Sequence, residues 1–250
     1  MMSSRPPIPH PGVVADLVPT GILRAGVNLS NFLLVDGTGA NGEPVGVSPS
    51  MATALGEAVG ATVGFVAFPN PGDVVDAIES GEVDTGNIGA DPARGEKVAF
   101  TPPYCEIDAT YLVRGGSPVA TLADVDRPDV RIVSRGGAAY TLWLDRNIHH
   151  ARVVHTDTID ESFDSFLADG FEVLAGLRPR LLDDAARIPG SRILDGRFTS
   201  VAQAIGVNRD RGGDVLSYLE RFVAWAIGSG FVSELIQRHR VSGLTVASRP

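Results

Sequence analysis

The stretch from Asp84 to Tyr104 (DTGNIGADPARGEKVAFTPPY) carries the residues best suited to bind an anion. A short strand leads to Asp91, a good helix N-cap, with Pro92 at the first helical position and Arg94 in the first turn. The start of a helix presents free backbone N–H groups, and a guanidinium beside them offers paired donors that match both oxygens of a carboxylate. The stretch therefore predicts a carboxylate receptor centred on Arg94. The alternative is that Arg94 pairs with Glu96 or Asp91 on a solvated helix.

Glu106 and Asp108 are the candidate residues for proton transfer. Alternation along a strand places both side chains on one face. Two carboxylates close together raise one another's pKa, which is one way in which a general acid or base is formed. The alternative is a solvated strand edge or a salt bridge at a hinge.

The sequence predicts no metal site and no cofactor. His149 and His150 are adjacent, so on a helix their side chains diverge by about 100°, and with His155 they are better explained as a surface group than as zinc ligands. The single cysteine, Cys105, has no CxxC partner and is expected to be buried and structural. The chain has no G-x-S-x-G, P-loop or dinucleotide-binding motif.

Composition limits the class of protein. A chain of 250 residues with 44% apolar and 20% charged residues is typical of a soluble globular protein with one large or two small domains. A net charge of −9 argues against nucleic acid as a partner, and the apolar runs are too short for a membrane segment. Prolines interrupt the N-terminal stretch, which lacks the apolar core of a signal peptide. We therefore expect a cytoplasmic protein, or a periplasmic one if a leader has been removed.

The elements that would position Arg94 alternate between strands and helices. Strands are predicted at Ile22–Val27 and Val63–Phe68, and helices begin at Ser48 with Pro49 and at Pro71, the latter capped by Asn70. Leu33–Gly42 is predicted to be a turn, and a further strand opens at Phe100 after the Arg94 helix. Strands separated by helices of about ten residues indicate a parallel, doubly wound sheet.

The pattern changes at Ile107–Val113, which is predicted to cross into a second lobe. Alternation then resumes, with strands at Val130–Val133, Arg152–His155 and Phe171–Ala175 and helices at Ala138–Arg146, Ile159–Ala168 and Pro179–Ala186. Ser200–Val207 would cross back, before helices Gly213–Ser229 and Val232–His239. The prediction is two doubly wound α/β lobes joined by two crossing strands: residues 1–20 as an N-terminal extension, 21–112 with 208–250 as lobe 1, and 113–207 as lobe 2. Ligands of such sheets bind beyond the carboxyl ends of the strands, which here predicts a cleft between the lobes.

The chain resembles the bacterial solute-binding proteins for polar amino acids, which are the partners of ABC importers. The resemblance extends from about Leu23 to His239 and is carried by PVGVSPSMATALGEAVG, VVDAIESGEVDTGNIGADPARGEKVAFTPPY, TLADV with VRIVSRGGAAYTLWL, and ERFVAWAIGSGFVSELIQRH. It implies a type II periplasmic-binding-protein fold that closes on a small molecule. It also implies an ABC permease as a partner if the protein is exported.

The resemblance further implies which residues would hold a ligand's carboxylate. The family's carboxylate-binding arginine falls on Arg94. The backbone groups before it fall on Asn87, Ile88 and Gly89, and the hydroxyl that the family often has at the last of these is missing. In the second lobe, the helix start that helps to hold the carboxylate falls on Gly137, Ala138, Ala139 and Tyr140.

The family's remaining contacts are not matched. The aspartate that pairs with the ligand's ammonium falls near Leu177, where no acidic residue stands, and the two aromatic positions fall on Asn31 and Asn70, with Phe32 and Phe68 as neighbours. A buried ammonium without a counter-charge costs several kcal/mol. The sequence therefore favours a small organic acid with further oxygens over an ordinary α-amino acid. The residues expected to bind those oxygens are Asn28, Asn31, Asn70 and Arg178.

Two functions remain open at this point. The first is a receptor that closes on a small carboxylate. The second is a cytoplasmic enzyme on the same scaffold, a lyase, isomerase or hydrolase similar in fold to cyclohexadienyl dehydratase, with Glu106 as proton donor and Asp108 as its electrostatic partner. Arg180 stands in the region where that dehydratase's catalytic acid is expected, which argues against the same chemistry.

Overall fold

The computed structural model describes residues 5–248. The helices are α1 (Pro11–Leu17), α2 (Val47–Val59), α3 (Pro71–Glu79), α4 (Pro92–Gly95), α5 (Ala139–Asn147), α6 (Ile159–Ala168), α7 (Arg178–Ala186), α8 (Gly213–Gly228) and α9 (Phe231–Arg238), with a 3-10 turn at Leu122–Asp124. The strands are β1 (Ile22–Asn28), β2 (Gly37–Thr38), β3 (Pro44–Val45), β4 (Thr62–Phe68), β5 (Thr85–Gly89), β6 (Val98–Phe100), β7 (Cys105–Val113), β8 (Arg131–Arg135), β9 (Arg152–Thr156), β10 (Val173–Leu177), β11 (Arg192–Ile193), β12 (Thr199–Asn208) and β13 (Leu244–Val246).

The chain divides into two compact units. Among the described residues, unit 1 comprises 5–106 and 202–248, and unit 2 comprises 107–201. Strands β7 and β12 each run from one range into the other. The predicted bounds of lobe 2, residues 113 and 207, lie within these same two strands.

The sheet of unit 1 has the strand order β4-β1-β5-β12, with β6 beside β12. Strand β1 is parallel to β4 and β5, whereas β12 is antiparallel to β5. Helix α3 packs very closely on this sheet, because a Cβ at Gly86 would lie 2.5 Å from Val74 Cγ1. Val74, Ile78 and Ile88 form part of the core on that side. The absence of a side chain at Gly86 therefore allows the close packing of α3.

A larger core in unit 1 joins α1, α2, α8 and α9. It includes Met51, Leu55, Tyr218 and Phe222, each fully buried. Val13, Leu17 and Val18 lie in the same core, so part of the predicted N-terminal extension packs into the body of unit 1.

Unit 2 has the strand order β7-β10-β8-β9, with β11 beside β7. Strand β8 is parallel to β9 and β10, and β7 is antiparallel to β10. Strands β8 and β10, in the middle of this sheet, are almost entirely buried, which suits their apolar residues, whereas the edge strand β9 is partly exposed. One core includes Ile132 and Leu144 of β8 and α5, and another includes Phe163 and Phe166 of α6.

Several predicted boundaries and caps are wrong. Helix α2 begins at Val47 after Gly46, where a Cβ would lie 2.2 Å from Leu34 O, so Ser48 is inside the helix. Asn70 occupies the N-cap position of α3 and Pro71 begins the helix, as predicted, but the Asn70 side chain makes no hydrogen bond to the helix N–H groups, and its Nδ2 donates to Asp73.

Elsewhere the differences reflect pairing between strands. The predicted turn at Leu33–Gly42 contains β2, which forms a hairpin with β3, and β6 begins at Val98 rather than Phe100 because it pairs with β12. Helix α5 begins at Ala139, one residue later than predicted, and α6 has the predicted bounds.

Candidate functional site

The segment between β5 and β6 places Arg94 in the interior of unit 1. Asp91 caps α4 as predicted, with its carboxylate accepting the Ala93 N–H at 2.9 Å. The Arg94 side chain is buried, at 6% exposure, and its Nη1 donates to the carbonyl oxygen of Gly89 at 2.5 Å. The guanidinium is thus held close to the end of β5.

The prediction of free backbone donors beside Arg94 is wrong for the two N–H groups that flank Asp91. The Ala90 N–H donates to Ala202 O at 2.7 Å in the sheet, and the Ala93 N–H is bound by the Asp91 cap. Helix α4 is only four residues long, so its dipole is small. Within this segment the candidate group for binding an anion is therefore the guanidinium of Arg94 and not a helix terminus.

The residues before Arg94 have structural contacts. Asn87 is buried, and its Nδ2 donates to Ser48 O at 2.9 Å, which ties β5 to the first turn of α2. Ile88 packs in the α3 core. Gly89 supplies the carbonyl that holds Arg94.

Gln203 was missed by the sequence analysis and lies directly opposite Gly89 in the antiparallel β5–β12 register. Residues opposite one another in such a ladder have Cα atoms about 4.5–5.5 Å apart. Gln203 is 1% exposed, and within residues 5–248 its Oε1 has no hydrogen-bond partner. A polar residue within the apolar run of β12 was the available signal, but only the strand register places it beside Gly89.

The residues of unit 1 that are predicted to contact the rest of the ligand lie at the ends of β1 and β4 and in the loops that follow these strands. Asn28 is buried and its Oδ1 accepts from Ser30 N and Oγ, at 3.2 and 2.8 Å. Asn31 Oδ1 accepts from Leu33 N at 3.3 Å. Phe68 is half-buried and packs on the α3 core, whereas Phe32 is exposed. The side-chain oxygens of both asparagines thus stabilise turns, and the expected contacts of Asn28 and Asn31 with a ligand's oxygens stay a prediction.

In unit 2, the start of α5 follows a left-handed Gly137, with φ of +70°. Ala138 occupies the N-cap position and has no side chain that could cap the helix, and Ala139 is the first helical residue. Tyr140 is buried, and this burial raises the pKa of its hydroxyl to about 12, although Arg135 and Arg180 act in the opposite direction. The Tyr140 hydroxyl therefore lies close enough to Arg135 and Arg180 to be affected by their charges.

The position expected for an ammonium-binding acid has basic neighbours. Leu177 is buried, at 7% exposure, as the residue before α7. Arg178 donates through Nη2 to Gly196 O. Arg180 donates from Nε to Asp184 at 2.9 Å and from Nη2 to Asp160 at 2.7 Å. Asp160 and Asp184 are thus both paired with Arg180.

Glu106 and Asp108 are partly exposed on β7, between the buried Cys105, Ile107 and Ala109. The predicted alternation is therefore observed. Asp108 forms an ion pair with Arg197 at 2.7 Å, with both side chains well exposed. Arg197 offsets the negative charge of Asp108 that was expected to act on Glu106. The alternative interpretation of Asp108, a salt bridge, is therefore the one observed.

The remaining candidate residues have separate environments. Cys105 is fully buried, as predicted, and burial strongly raises the pKa of its thiol. His155 pairs with Asp145 at 2.9 Å. Among residues 5–248, no three His, Cys, Asp or Glu side chains are grouped as metal ligands, and no helix is both long and apolar enough to cross a membrane.

Comparison with known proteins places the fold. Residues 32–240 match the family model of bacterial extracellular solute-binding proteins, family 3. No curated protein sequence matches the chain. The solved structures similar to it adopt the type II periplasmic-binding-protein fold, in agreement with the sequence analysis.

Three of these similar structures are described with different ligands or functions. A binding component of an ABC transporter from Wolinella succinogenes, complexed with lysine, has a TM-score of 0.74 and 20% identity over 89% of this chain and 97% of its own. A solute receptor for L-cysteine from Neisseria gonorrhoeae has a TM-score of 0.73 and 21% identity over 92% and 95%. The ancestral amino acid-binding protein AncCDT-1, a precursor of cyclohexadienyl dehydratase, has a TM-score of 0.71 and 19% identity over 90% and 98%.

Proposed function

Because the chain belongs to family 3 of the bacterial extracellular solute-binding proteins, we propose that it is a receptor for a small organic acid rather than for an ordinary α-amino acid. The single observation that carries this proposal is the buried guanidinium of Arg94, held by Gly89 O at the end of a parallel strand. A desolvated guanidinium in a protein of net charge −9 is suited to a carboxylate.

The choice of an acid without an ammonium group follows from unit 2. A receptor for amino acids needs a negative charge to offset the ligand's ammonium. Here Leu177 and Arg178 stand at the position that the resemblance assigns to that charge, and Asp160 and Asp184 are bound to Arg180. Lysine and L-cysteine, which are the ligands of two related structures, are therefore not proposed as ligands of this chain.

The side chain of Gln203 indicates which small acids would be preferred as ligands. Its buried Oε1 has no partner among the described residues and can accept a hydrogen bond, and its strand position is opposite Gly89. A neutral acceptor suits a hydroxyl donor better than an ammonium, which requires a charge. The proposed ligands are therefore 2-hydroxy acids, and the proposed protein partner is the permease of an ABC importer.

The test is a thermal-shift and calorimetry panel of matched acids: lactate, propionate, alanine, malate, glutamine and arginine. A ligand at 100 times its dissociation constant stabilises the folded state by about 2.7 kcal/mol. We expect stabilisation by hydroxy acids and none by the amino acids. Arg94→Ala should abolish the response, whereas Arg238→Ala, which changes an exposed arginine paired with Glu234, should retain it. Stabilisation by the amino acids alone would contradict the proposal.

A second candidate function is an enzyme acting on such an acid. The observation that favours it is Glu106, partly exposed on β7, together with a structural relative described as a precursor of cyclohexadienyl dehydratase. Following a bound acid by NMR for several hours tests it directly. Chemical conversion by wild type that is lost in Glu106→Gln would establish the enzyme, and an unchanged acid would exclude turnover of that compound.

A further inference from the structure

Three residues from separate segments of unit 1 form a chain of hydrogen bonds outside the candidate ligand site. Ser50 lies in the first turn of α2, His239 follows α9 as its C-cap, and Asp36 precedes β2. Ser50 Oγ lies 3.0 Å from His239 Nε2, and His239 Nδ1 lies 3.1 Å from Asp36 Oδ2. The imidazole is therefore fixed between a hydroxyl and a carboxylate.

The carboxylate determines the role of each imidazole nitrogen. Asp36 can only accept, so Nδ1 of His239 carries the proton that is donated to it. In the neutral imidazole Nε2 is then an acceptor, and it accepts from the Ser50 hydroxyl. This is the arrangement of nucleophile, general base and orienting acid that activates a serine, recognised by geometry and not by order in the chain.

The three residues lie near the surface of unit 1. Ser50 is partly exposed, and the side chains of His239 and Asp36 are 10% and 30% exposed. The imidazole is held by hydrogen bonds on both ring nitrogens, and none of the three residues is fully buried. The first turn of α2 also carries the positive end of the helix dipole, which favours developing negative charge on Ser50 Oγ.

We propose that Ser50 is a nucleophile that accepts an acyl group from activated esters, with His239 as its general base. Ser50 Oγ forms a bond to the ester carbonyl carbon as its proton passes to His239 Nε2. The carbon–oxygen bond to the leaving group then breaks, and that group leaves as the alcohol or phenol with the proton from His239. Water then attacks the acyl carbon as His239 Nε2 takes its proton. The bond to Ser50 Oγ breaks, the proton returns to Oγ, and the carboxylic acid is released.

The backbone around Ser50 limits the rate of this reaction. Its own N–H donates to Gly46 O at 3.0 Å, the Ser48 N–H donates to Leu34 O at 3.0 Å, and Pro49 has no N–H. These groups cannot stabilise an oxyanion, which in serine hydrolases contributes a factor of about 10²–10³. General-base assistance alone contributes about 10²–10⁴. The reaction is therefore slow and restricted to esters with good leaving groups.

The experiment uses p-nitrophenyl acetate with the full chain. We expect up to one equivalent of p-nitrophenol to be released in a first phase, an added acetyl mass on the peptide containing Ser50, and slow turnover afterwards. Ser50→Ala should remove the adduct, and His239→Gln should slow its formation by at least about 100-fold. Ser217→Ala, at an exposed serine of α8, is the matched control and should leave both unchanged.

Asp36 acts through His239 and is tested as a positioning residue. Asp36→Asn should slow acylation, because an amide no longer enforces the tautomer, and Asp36→Glu should restore part of the rate. Melting temperatures of all variants separate these effects from loss of folding. A folded wild type that gives no adduct at Ser50, or an adduct that forms equally fast in His239→Gln, would overturn the proposal and leave the three residues as a structural tie.

Discussion

Asp84 in unit 1 and Asp184 in unit 2 are deeply buried aspartates paired with arginine, yet their pKa values shift in opposite directions. The side chains of Asp84 in unit 1 and Asp184 in unit 2 are 0% and 2% exposed. Burial raises the pKa of both, but hydrogen bonds from Arg24 and Arg211 outweigh it at Asp84 and lower that pKa, whereas Arg180 does not outweigh it at Asp184.

The difference lies in the number of donors that each carboxylate receives. Asp84 accepts from Arg24 N, Nε and Nη2 at 2.9, 3.0 and 2.7 Å, and also from Arg211. Asp184 accepts from Arg180 Nε at 2.9 Å, while the same arginine also binds Asp160. The comparison shows that burial alone does not decide the direction of a pKa shift, because donors to the charged form can reverse it.

The two sites also differ in what they hold together. Arg24 donates to Gly81 O, and Arg211 donates to Leu17 O, so Asp84 joins β1, the end of α1 and the loop before β5. Arg180 binds two acids, Asp184 and Asp160, in unit 2. The first network joins separate segments of unit 1, and the second is the one on which the proposed exclusion of amino acids depends.

The largest expected effect is on folding. Asp84→Ala should lower the free energy of unfolding by about 3–5 kcal/mol, because it leaves two arginines without their buried partner. Asp184→Asn should change it by no more than about 1 kcal/mol, since Arg180 retains Asp160. Urea denaturation of both variants checks the contrast. Equal losses would show that burial, and not the number of donors, sets the contribution of each aspartate.

Ligand binding should depend strongly on unit 1. Arg94→Ala should weaken the binding of an acid by about 2–5 kcal/mol, and Arg94→Lys should restore little of this because a point charge does not replace the planar guanidinium. Calorimetry with any acid found in the panel measures both. Unchanged affinity in folded Arg94→Ala would place the carboxylate elsewhere.

The acid dependence of stability should separate the two aspartates. A lowered pKa in the folded state makes the contribution of Asp84 fully present above its unfolded pKa near 3.9, and that contribution is lost as the pH falls toward the folded value. A raised pKa gives Asp184 the opposite sign, so it favours the folded state in acid and loses this contribution as the pH rises through its folded pKa. Unfolding free energies of wild type and both variants, measured from pH 7 down to about pH 2.5, test both signs, because most of the Asp84 contribution is lost only below its unfolded pKa near 3.9. Asp84→Asn should reduce the loss of stability in acid. The stability of Asp184→Asn relative to wild type should be higher at pH 7 than at about pH 2.5.

The smallest expected effect concerns selectivity. Gln203→Leu should reduce the preference for lactate over propionate by about 0.5–1.5 kcal/mol, the usual net contribution of one hydrogen bond. Propionate binding should change little, and this serves as the internal control. A wild type that binds both acids equally would remove Gln203 from ligand recognition while leaving the role of Arg94 intact.

Much of the architecture was predictable because it depends on local patterns. The bounds of α6, the Asp91 cap and the alternation of Glu106 and Asp108 on β7 all follow from rules that span four residues or fewer. The quoted motifs were also sufficient to predict the family. The contacts at the starts of α2 and α3 were not predictable in the same way. Ser48 is a residue type typical of a helix cap but lies inside α2, and the Asn70 side chain contacts Asp73 instead of the helix N–H groups.

The charged and polar contacts on which the proposals depend are formed only in the tertiary structure. Arg211 meets Asp84 across 127 positions, and His239 meets Asp36 across 203. Gln203 acquires its place through the register of an antiparallel pair, in which a shift of one residue would turn its side chain to the other face. The sequence by itself determined the elements, the alternation that indicates two α/β lobes, and the arginine of the candidate site. Strand order and register decided which charges are paired and left Gln203 Oε1 without a partner among the described residues, because they bring together groups that no local pattern relates.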